Sequence, residues 1–341
     1  MIEFDFDALR CVGLNNTIIS RLAEAGSGRL CRITEVQRDR ITVHDGAAER
    51  LARALPRLLA ETPLCVGDWV IAQNNALEEV WIIQRLSPAN QLARFAADGA
   101  HQPLASNIDT VLLVMGLDHD FNLRRIERYL ALAASAEITP LIVLTKLDIC
   151  TDSEEKISGM LQRIPRGAQY IAMNTRDPES VGQLAPWLGE GQTICLLGSS
   201  GAGKSTLTNA LAGADQETGG VRQGDSRGRH TTTTRSLHRC ESGACIIDTP
   251  GLRSLCPDSV SSAFDDIESL AAGCHFRNCQ HGDEPGCAVR THIDPDRLHN
   301  YHKLQREVRR HQQTALERIA DRNKWKSLMK SAAARSKQKR S

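Results

Sequence analysis

The octapeptide Gly198-Ser199-Ser200-Gly201-Ala202-Gly203-Lys204-Ser205 constrains this chain more than any other stretch. It fits G-x-x-x-x-G-K-[ST], follows the apolar run Thr193–Leu197, and opens a helix-forming segment. Its glycines let successive backbone N–H groups converge on phosphate oxygens, and the helix start adds a favourable dipole. Lys204 supplies a point charge to the outer phosphates and the Ser205 hydroxyl a magnesium ligand, with Thr206 next in the first helical turn. A unit of this kind needs a parallel sheet around it. The alternation from about residue 107 provides one, with strands expected at Ile108–Met115, Leu141–Thr145 and Tyr170–Met173 and helices at Leu123–Ala136 and Ser153–Ile164.

A phosphate loop leaves the base open, and two further segments bear on it. Asp248-Thr249-Pro250-Gly251 ends an expected strand as D-x-x-G, so that Asp248 would hold magnesium through water and the Gly251 N–H would meet the terminal phosphate. Thr145-Lys146-Leu147-Asp148 ends another buried strand. The Asp148 carboxylate can accept from guanine's N1–H and exocyclic amine, donors that adenine lacks there, and the Lys146 stem would cover the base plane. Alone, this tetrapeptide is a common loop sequence; beside a phosphate loop it reads as guanine recognition. Its first residue is Thr where GTPases generally have Asn, which removes the amide contacts. A Ser-Ala-type backbone contact to the base corresponds only loosely to Met173-Asn174-Thr175.

The order of these motifs is unusual. The base-reading tetrapeptide precedes the phosphate loop by about 50 residues, the reverse of ordinary small GTPases, so the domain reads as circularly permuted. After Gly251 stands Leu252, which cannot orient water as a glutamine would; His230 is the candidate for that role, and Thr232, among Thr231–Thr234, for the magnesium ligand from the switch loop. The segment after Gly251 runs straight into the C-terminal region, which would let the nucleotide state move that region.

That region contains Cys274-x4-Cys279-x-His281-x5-Cys287, four soft ligands within 14 residues. Three thiolates and an imidazole suit one tetrahedral structural zinc; His275 is a competitor, but adjacent residues rarely both reach one ion. Cys195 and Cys245 lie in expected strands and read as small core residues. Upstream, short strands at Leu30–Glu35, Arg40–His44, Asp68–Ala72 and Glu79–Gln84 without intervening helical pattern point to an OB-like five-stranded barrel. The expected organisation is a β-barrel with an N-terminal extension over 1–100, an α/β domain over 101–258, and a zinc-binding helical domain with a basic helix and tail over 259–341. Net charge is +1, yet residues 301–341 hold 13 Lys or Arg against three acids, leaving −9 on the first 300 residues. An acidic body with a basic C-terminal segment points to a localised polyanion contact. Apolar runs are too short to span a bilayer and no leader is evident, so a cytoplasmic chain without a membrane contact is expected.

Base motif before phosphate loop, the switch Gly228-Arg229-His230-Thr231-Thr232-Thr233, Asp248–Gly251 and the following Cys/His cluster together resemble the RsgA (YjeQ, EngC) family across essentially the whole chain. The resemblance implies an N-terminal OB-fold and a GTPase acting in late maturation of the 30S ribosomal subunit, with slow hydrolysis stimulated by that subunit. It also implies GTP with Mg2+, one Zn2+, contact with 16S rRNA and a monomer off the ribosome. The competing readings are a P-loop ATPase or kinase with a zinc appendage, and a non-catalytic RNA-binding scaffold.

Overall fold

The computed structural model describes residues 2–37, 40–61, 63–95, 101–213, 235–248, 255–260, 263–313 and 317. A two-residue strand β1 (Ile2–Glu3) and two short helices, α1 (Phe6–Arg10) and α2 (Asn16–Ile19), lead into a barrel. Its strands are β2 (Gly28–Gln37), β3 (Arg40–His44), β4 (Glu49–Ala54), β5 (Trp69–Asn74) and β6 (Val80–Arg85), with helix α3 (Pro56–Glu61) between β4 and β5. They run in the order β2-β3-β4-β6-β5 and close through β2–β5 pairing, with β4–β6 the parallel contact. This is the five-stranded Greek-key arrangement of an OB-fold. Alternation along the strands sorts two cores: Cys31, Ile33, Val43, Val70 and Ile82 fill the barrel, while Leu30, Trp69 and Ile71 face Leu9, Leu14 and Ile18 of the N-terminal segment. The sequence reading lacked β4, whose Glu-Arg-Leu-Ala-Arg-Ala carries neither β-branched nor aromatic residues.

A hairpin of β7 (Gln91–Phe95) and β8 (His101–Ser106) straddles residue 100 and passes the chain to the second sheet. There follow β9 (Thr110–Gly116), α4 (Leu123–Ser135), β10 (Thr139–Thr145), α5 (Ser153–Leu161), β11 (Gln169–Ala172), α6 (Pro178–Gly182), β12 (Thr193–Gly198), α7 (Lys204–Ala212), β13 (Arg235–Arg239) and β14 (Cys245–Asp248). The order is β11-β10-β9-β12-β14-β13, parallel except for β13. All seven residues of β9 are buried. Val111, Leu113 and Met115 pack towards Ile126 and Leu130 of α4, and Leu112 and Val114 towards Leu207 and Leu211 of α7, as a parallel strand covered on both faces requires. The phosphate-loop strand β12 sits centrally between β9 and β14, and the base-motif strand β10 precedes it in the chain, the motif order of a circularly permuted domain.

Barrel and sheet are continuous, because Val36 and Glu35 of β2 pair with Arg235 and Ser236 of β13. Beneath that seam the fully buried Arg32 donates to Val12 O at 2.5 Å, Thr193 Oγ1 at 2.8 Å and Asn107 O at 3.1 Å, tying the N-terminal segment, the barrel and β12 together. Of the C-terminal helices α8 (Asp265–Ala271), α9 (Ala288–His292) and α10 (Pro295–Gln312), α10 docks on α4 and α9 packs on α8 within the same core. Asp294 caps α10 by accepting from Arg297 N at 3.0 Å, with Pro295 in the first turn, the start the sequence pattern indicated. Phe264, Ile267, Leu298, Tyr301 and Leu304 share one core with Ile126, Tyr129 and Leu130. Through this apolar contact runs an ion network: Glu127 accepts from Arg163, Arg297 and Asn300, Arg297 also pairs with Asp266, and Arg163 with Asp296. Among the described residues no helix is long and apolar enough to cross a membrane.

Candidate nucleotide site and metal centre

The three strand ends that carry the motifs share one edge of the parallel sheet, where an open α/β sheet binds its ligands. Register puts Thr145 opposite Gly116 and Gly198 opposite Val114, so β10, β9 and β12 finish side by side, and β14 ends at Asp248 beyond them. At the phosphate loop, Gly201 (φ +81°) and Gly203 (φ +93°) adopt the left-handed backbone that turns N–H groups inward before α7 begins at Lys204. Ala202 is buried beneath the loop, while Ser200, Ser205 and Thr206 are exposed at its mouth. Lys204 Nζ donates to Gly198 O at 2.8 Å and to Ser199 O at 2.7 Å, laying the ammonium across the loop where phosphate oxygens would take over those bonds.

The base-reading tetrapeptide touches the loop directly. Thr145 is fully buried and its Oγ1 donates to Ala202 O at 2.6 Å. The threonine therefore keeps one strong tie to the phosphate loop, although the sequence suggested only a loss of amide contacts. Lys146 has a left-handed backbone (φ +62°) and its Nζ donates to Asp118 Oδ2 at 2.6 Å. Leu147 and Asp148 follow in a single 3-10 turn, where Leu147 N donates to Met173 O at 3.3 Å and Asp148 stands exposed. Met173 N in turn donates to Leu144 O at 2.8 Å, which brings Met173-Asn174-Thr175 beside the tetrapeptide at the end of β11.

Sequence reasoning missed the loop between β9 and α4. Asp118 pairs with Lys146; Asp120 accepts from Ser199 Oγ and from Arg125 Nη1. Burial pushes the Asp118 carboxyl up, but hydrogen bonds from Lys146 and the Asp120 amide outweigh it and hold the group below its ordinary value. For Asp120 burial is likewise outweighed, by Arg125 and Ser199. The visible signal was a pair of carboxylates directly after a buried strand that neighbours both motif strands. His230, Thr232, the other switch threonines, Gly251, Leu252 and the basic tail from residue 318 lie outside the described residues, as does the side chain of Asp248.

Beyond α8, Cys274, Cys279, His281 and Cys287 present one donor atom each, all within 4.8 Å of one another. Cys274 Sγ lies 3.7 Å from His281 Nδ1 and 4.0 Å from Cys287 Sγ, which is 3.6 Å from the same Nδ1. Metal–sulfur bonds of about 2.3 Å and metal–nitrogen bonds of about 2.0 Å in a tetrahedron require donor separations of roughly 3.5–3.8 Å, so this set fits such an ion. His281 reaches its place through a left-handed backbone (φ +59°). Backbone N–H groups of Val289 and Ala288 lower the Cys274 thiol, while at Cys279 the backbone N–H of His281 is outweighed by burial and the neighbouring Cys287 and Cys274, which push that thiol up to about 11. His275 stands apart from the donor set, its ring edge-on to Phe276 at 4.7 Å. Cys195 and Cys245 are fully buried in β12 and β14, and burial pushes the Cys245 thiol up to about 11, as for inert core residues.

Comparison with known proteins agrees with this arrangement. A family model described as RsgA GTPase matches residues 85–256, and one described as 50S ribosome-binding GTPase matches residues 193–324. The chain is 45% identical over 292 residues to the small ribosomal subunit biogenesis GTPase RsgA of Xanthomonas oryzae pv. oryzae, covering 82% of this chain and 79% of that one. The protein of the same name from Xanthomonas campestris pv. campestris matches with the same identity and coverage. Among solved structures, YjeQ from Thermotoga maritima superposes with a TM-score of 0.61 at 24% identity, over 82% of this chain and 98% of that one. YloQ, a circularly permuted GTPase, gives 0.58 at 23% identity, over 83% and 96%. These two likenesses establish the shared fold, and the sequence matches establish kinship: the chain belongs to the RsgA GTPase family.

Proposed function

We propose that this protein is a GTPase of small ribosomal subunit biogenesis, hydrolysing GTP to GDP and phosphate with turnover stimulated by the 30S subunit. The observation that carries the reading is the junction of base motif and phosphate loop, Thr145 Oγ1 on Ala202 O at 2.6 Å, within a family whose curated members bear that name. In this reading Asp148 accepts from guanine, the Lys146 stem covers it with Leu147 behind, and Gly198–Thr206 cradle the phosphates with Lys204 on the outer ones. Ser205, Thr232 and, through water, Asp248 would hold the Mg2+ that accompanies GTP, which would supply positive charge at the terminal phosphates, and the Gly251 N–H would meet the terminal phosphate. Leu252 offers no hydrogen bond, so His230 orients the attacking water; His230→Ala should lower stimulated turnover while sparing GTP affinity. Zn2+ is the ion that three thiolates and an imidazole with no open position suit, in a structural role.

Contact with 16S rRNA is the natural use of the cationic surfaces. Lys303, Arg306 and Arg310 are exposed at helical spacing along α10, and the sequence beyond residue 317 is strongly basic. A groove of about 940 Å3 between barrel, hairpin β7–β8 and the start of β13 carries Arg40, Arg53 and Arg235 at a mostly apolar lining that includes Ile41, Leu59 and Leu64. Such contacts neutralise phosphates and weaken steeply with salt. We read the chain as cytoplasmic and monomeric off the ribosome, with domains over 1–100, 101–258 and 259–341. Nucleotide affinities of the unaltered protein and of Asp148→Asn test the base reading. GTP should be preferred over ATP by orders of magnitude, and the preference should collapse in the variant; equal affinity for ATP would favour the ATPase reading instead.

A further inference from the structure

The loop Gly116–Phe121 carries two carboxylates that the nucleotide motifs do not account for. It leaves β9, which lies between the base-motif strand β10 and the phosphate-loop strand β12. It grips both halves of the site, Asp118 holding Lys146 Nζ at 2.6 Å and Asp120 holding Ser199 Oγ. The loop is itself braced. Leu117 N donates to Thr145 O at 3.0 Å, Lys156 Nζ to Leu117 O at 2.8 Å, and Asp120 N to Asp118 Oδ1 at 3.3 Å. Arg125 Nη1 closes it from α4 by donating to Asp120 Oδ2 at 2.6 Å. Gly116 has a spatial reason to be glycine, since a Cβ there would lie 2.7 Å from Asp118 Oδ1 and 3.4 Å from Lys146 Cδ. The Asp118 side chain thus folds back beneath the lysine stem in a space kept open for it.

We propose that Asp118 is a positioning residue for guanine recognition, pinning the Lys146 ammonium so that the lysine's methylene stem is ordered before the base arrives. The inference rests on the base-site reading above. A lysine stem has four rotatable bonds, and one that is ordered only by the ligand subtracts that ordering from affinity. The contact is to the base side of the nucleotide and is the same for GDP and GTP, so its loss is uniform. KM for GTP and Kd for GDP should rise together while kcat stays unchanged. Ordering one long side chain corresponds to about a 3- to 10-fold change in affinity. Asp120 is held by Arg125 and faces the phosphate loop, so it does not share this role.

The test is a double-mutant cycle in the full-length protein, with fluorescent GDP and GTP analogues as probes and steady-state turnover measured alongside. Asp118→Asn keeps shape and removes charge; Lys146→Met keeps the stem and removes the ammonium. Asp118→Asn should weaken both nucleotides by the same factor, leave kcat alone, and have no further effect in the Lys146→Met background. Asp118→Glu should recover part of the affinity. Equal losses from Asp118→Asn in both backgrounds would overturn the inference, as would a fall in kcat without a change in Kd. Failure of the underlying reading has its own signature, no guanine preference in the unaltered protein, and would remove the inference with it.

Discussion

Replacing Glu127 by Gln should loosen the C-terminal helices from the sheet domain. Glu127 is 1% exposed on α4 and accepts from Arg163 Nε and Arg297 Nη1, each at 2.9 Å, and from Asn300 Nδ2 at 2.5 Å. The amide keeps the shape but removes the charge, and presents an NH2 donor among donors. Breaking one side of a buried ion network costs about 3–5 kcal/mol, because charge is left without a partner. Here Arg297 retains Asp266 at 2.7 Å and Arg163 retains Asp296 at 2.9 Å. The lower end, about 3 kcal/mol, is therefore expected, equivalent to roughly 100-fold in the undocked population. Hydrogen exchange should read this as about 100-fold faster exchange for amides of α8 and α10 that open by undocking, with β9, β10 and β12 unchanged. Adding Arg297→Met removes the cation that has lost Glu127, so the double variant should cost less than the sum of the singles. A change below about fivefold, or strict additivity, would refute the assignment of docking energy to this network.

Thr145→Val removes the hydroxyl that donates to Ala202 O and strands a buried carbonyl, a loss of about 1 kcal/mol. Titration calorimetry should show roughly fivefold weaker guanine nucleotide binding, and an unchanged affinity would disconnect the two motifs. Cys287→Ser, or a strong chelator, should release about one zinc per chain and expose the backbone of residues 274–292 to protease, while GTP still binds. Retained zinc in the variant would break the assigned ligand set. Asp296 is lowered from 3.8 to about 2, first by the Arg124 hydrogen bond. A depressed carboxyl contributes stability that is complete above its unfolded pKa and lost as pH falls through the folded one, so docking should weaken between about pH 4 and pH 2. Exposure of the pair makes the effect small. Acid titration of the intact protein against Asp296→Asn should show the difference confined to that window.

The phosphate loop, the base tetrapeptide and the Cys3His set were legible because each is a short run whose spacing carries its chemistry. The parallel sheet was legible because β9, β10 and β12 are almost wholly apolar. What could not be read depends on distant partners. Glu127 is a charge among Ile126 and Leu130 on an amphipathic helix, and its partner Arg297 lies 170 residues away. Asp118 and Asp120 belong to no spacing motif, and only the adjacency of β9 to both motif strands reveals them. The hairpin Gln91–Ser106 contains Pro103 and lacks alternation, which hid its pairing. Arg32 reads as an ordinary surface arginine on β2, yet it is fully buried, because four carbonyl or hydroxyl acceptors from separate segments converge on it.

In the proposed function, guanine-specific hydrolysis is coupled to the small ribosomal subunit. Phosphate release from GTP, measured with and without purified 30S subunits alongside co-sedimentation in GTP, GDP and non-hydrolysable analogue, tests it most directly. Turnover alone should be slow, 30S subunits should stimulate it markedly unless Lys204 is replaced by Ala, and binding should depend on the nucleotide. Turnover indifferent to the subunit, or equal hydrolysis of ATP, would contradict it.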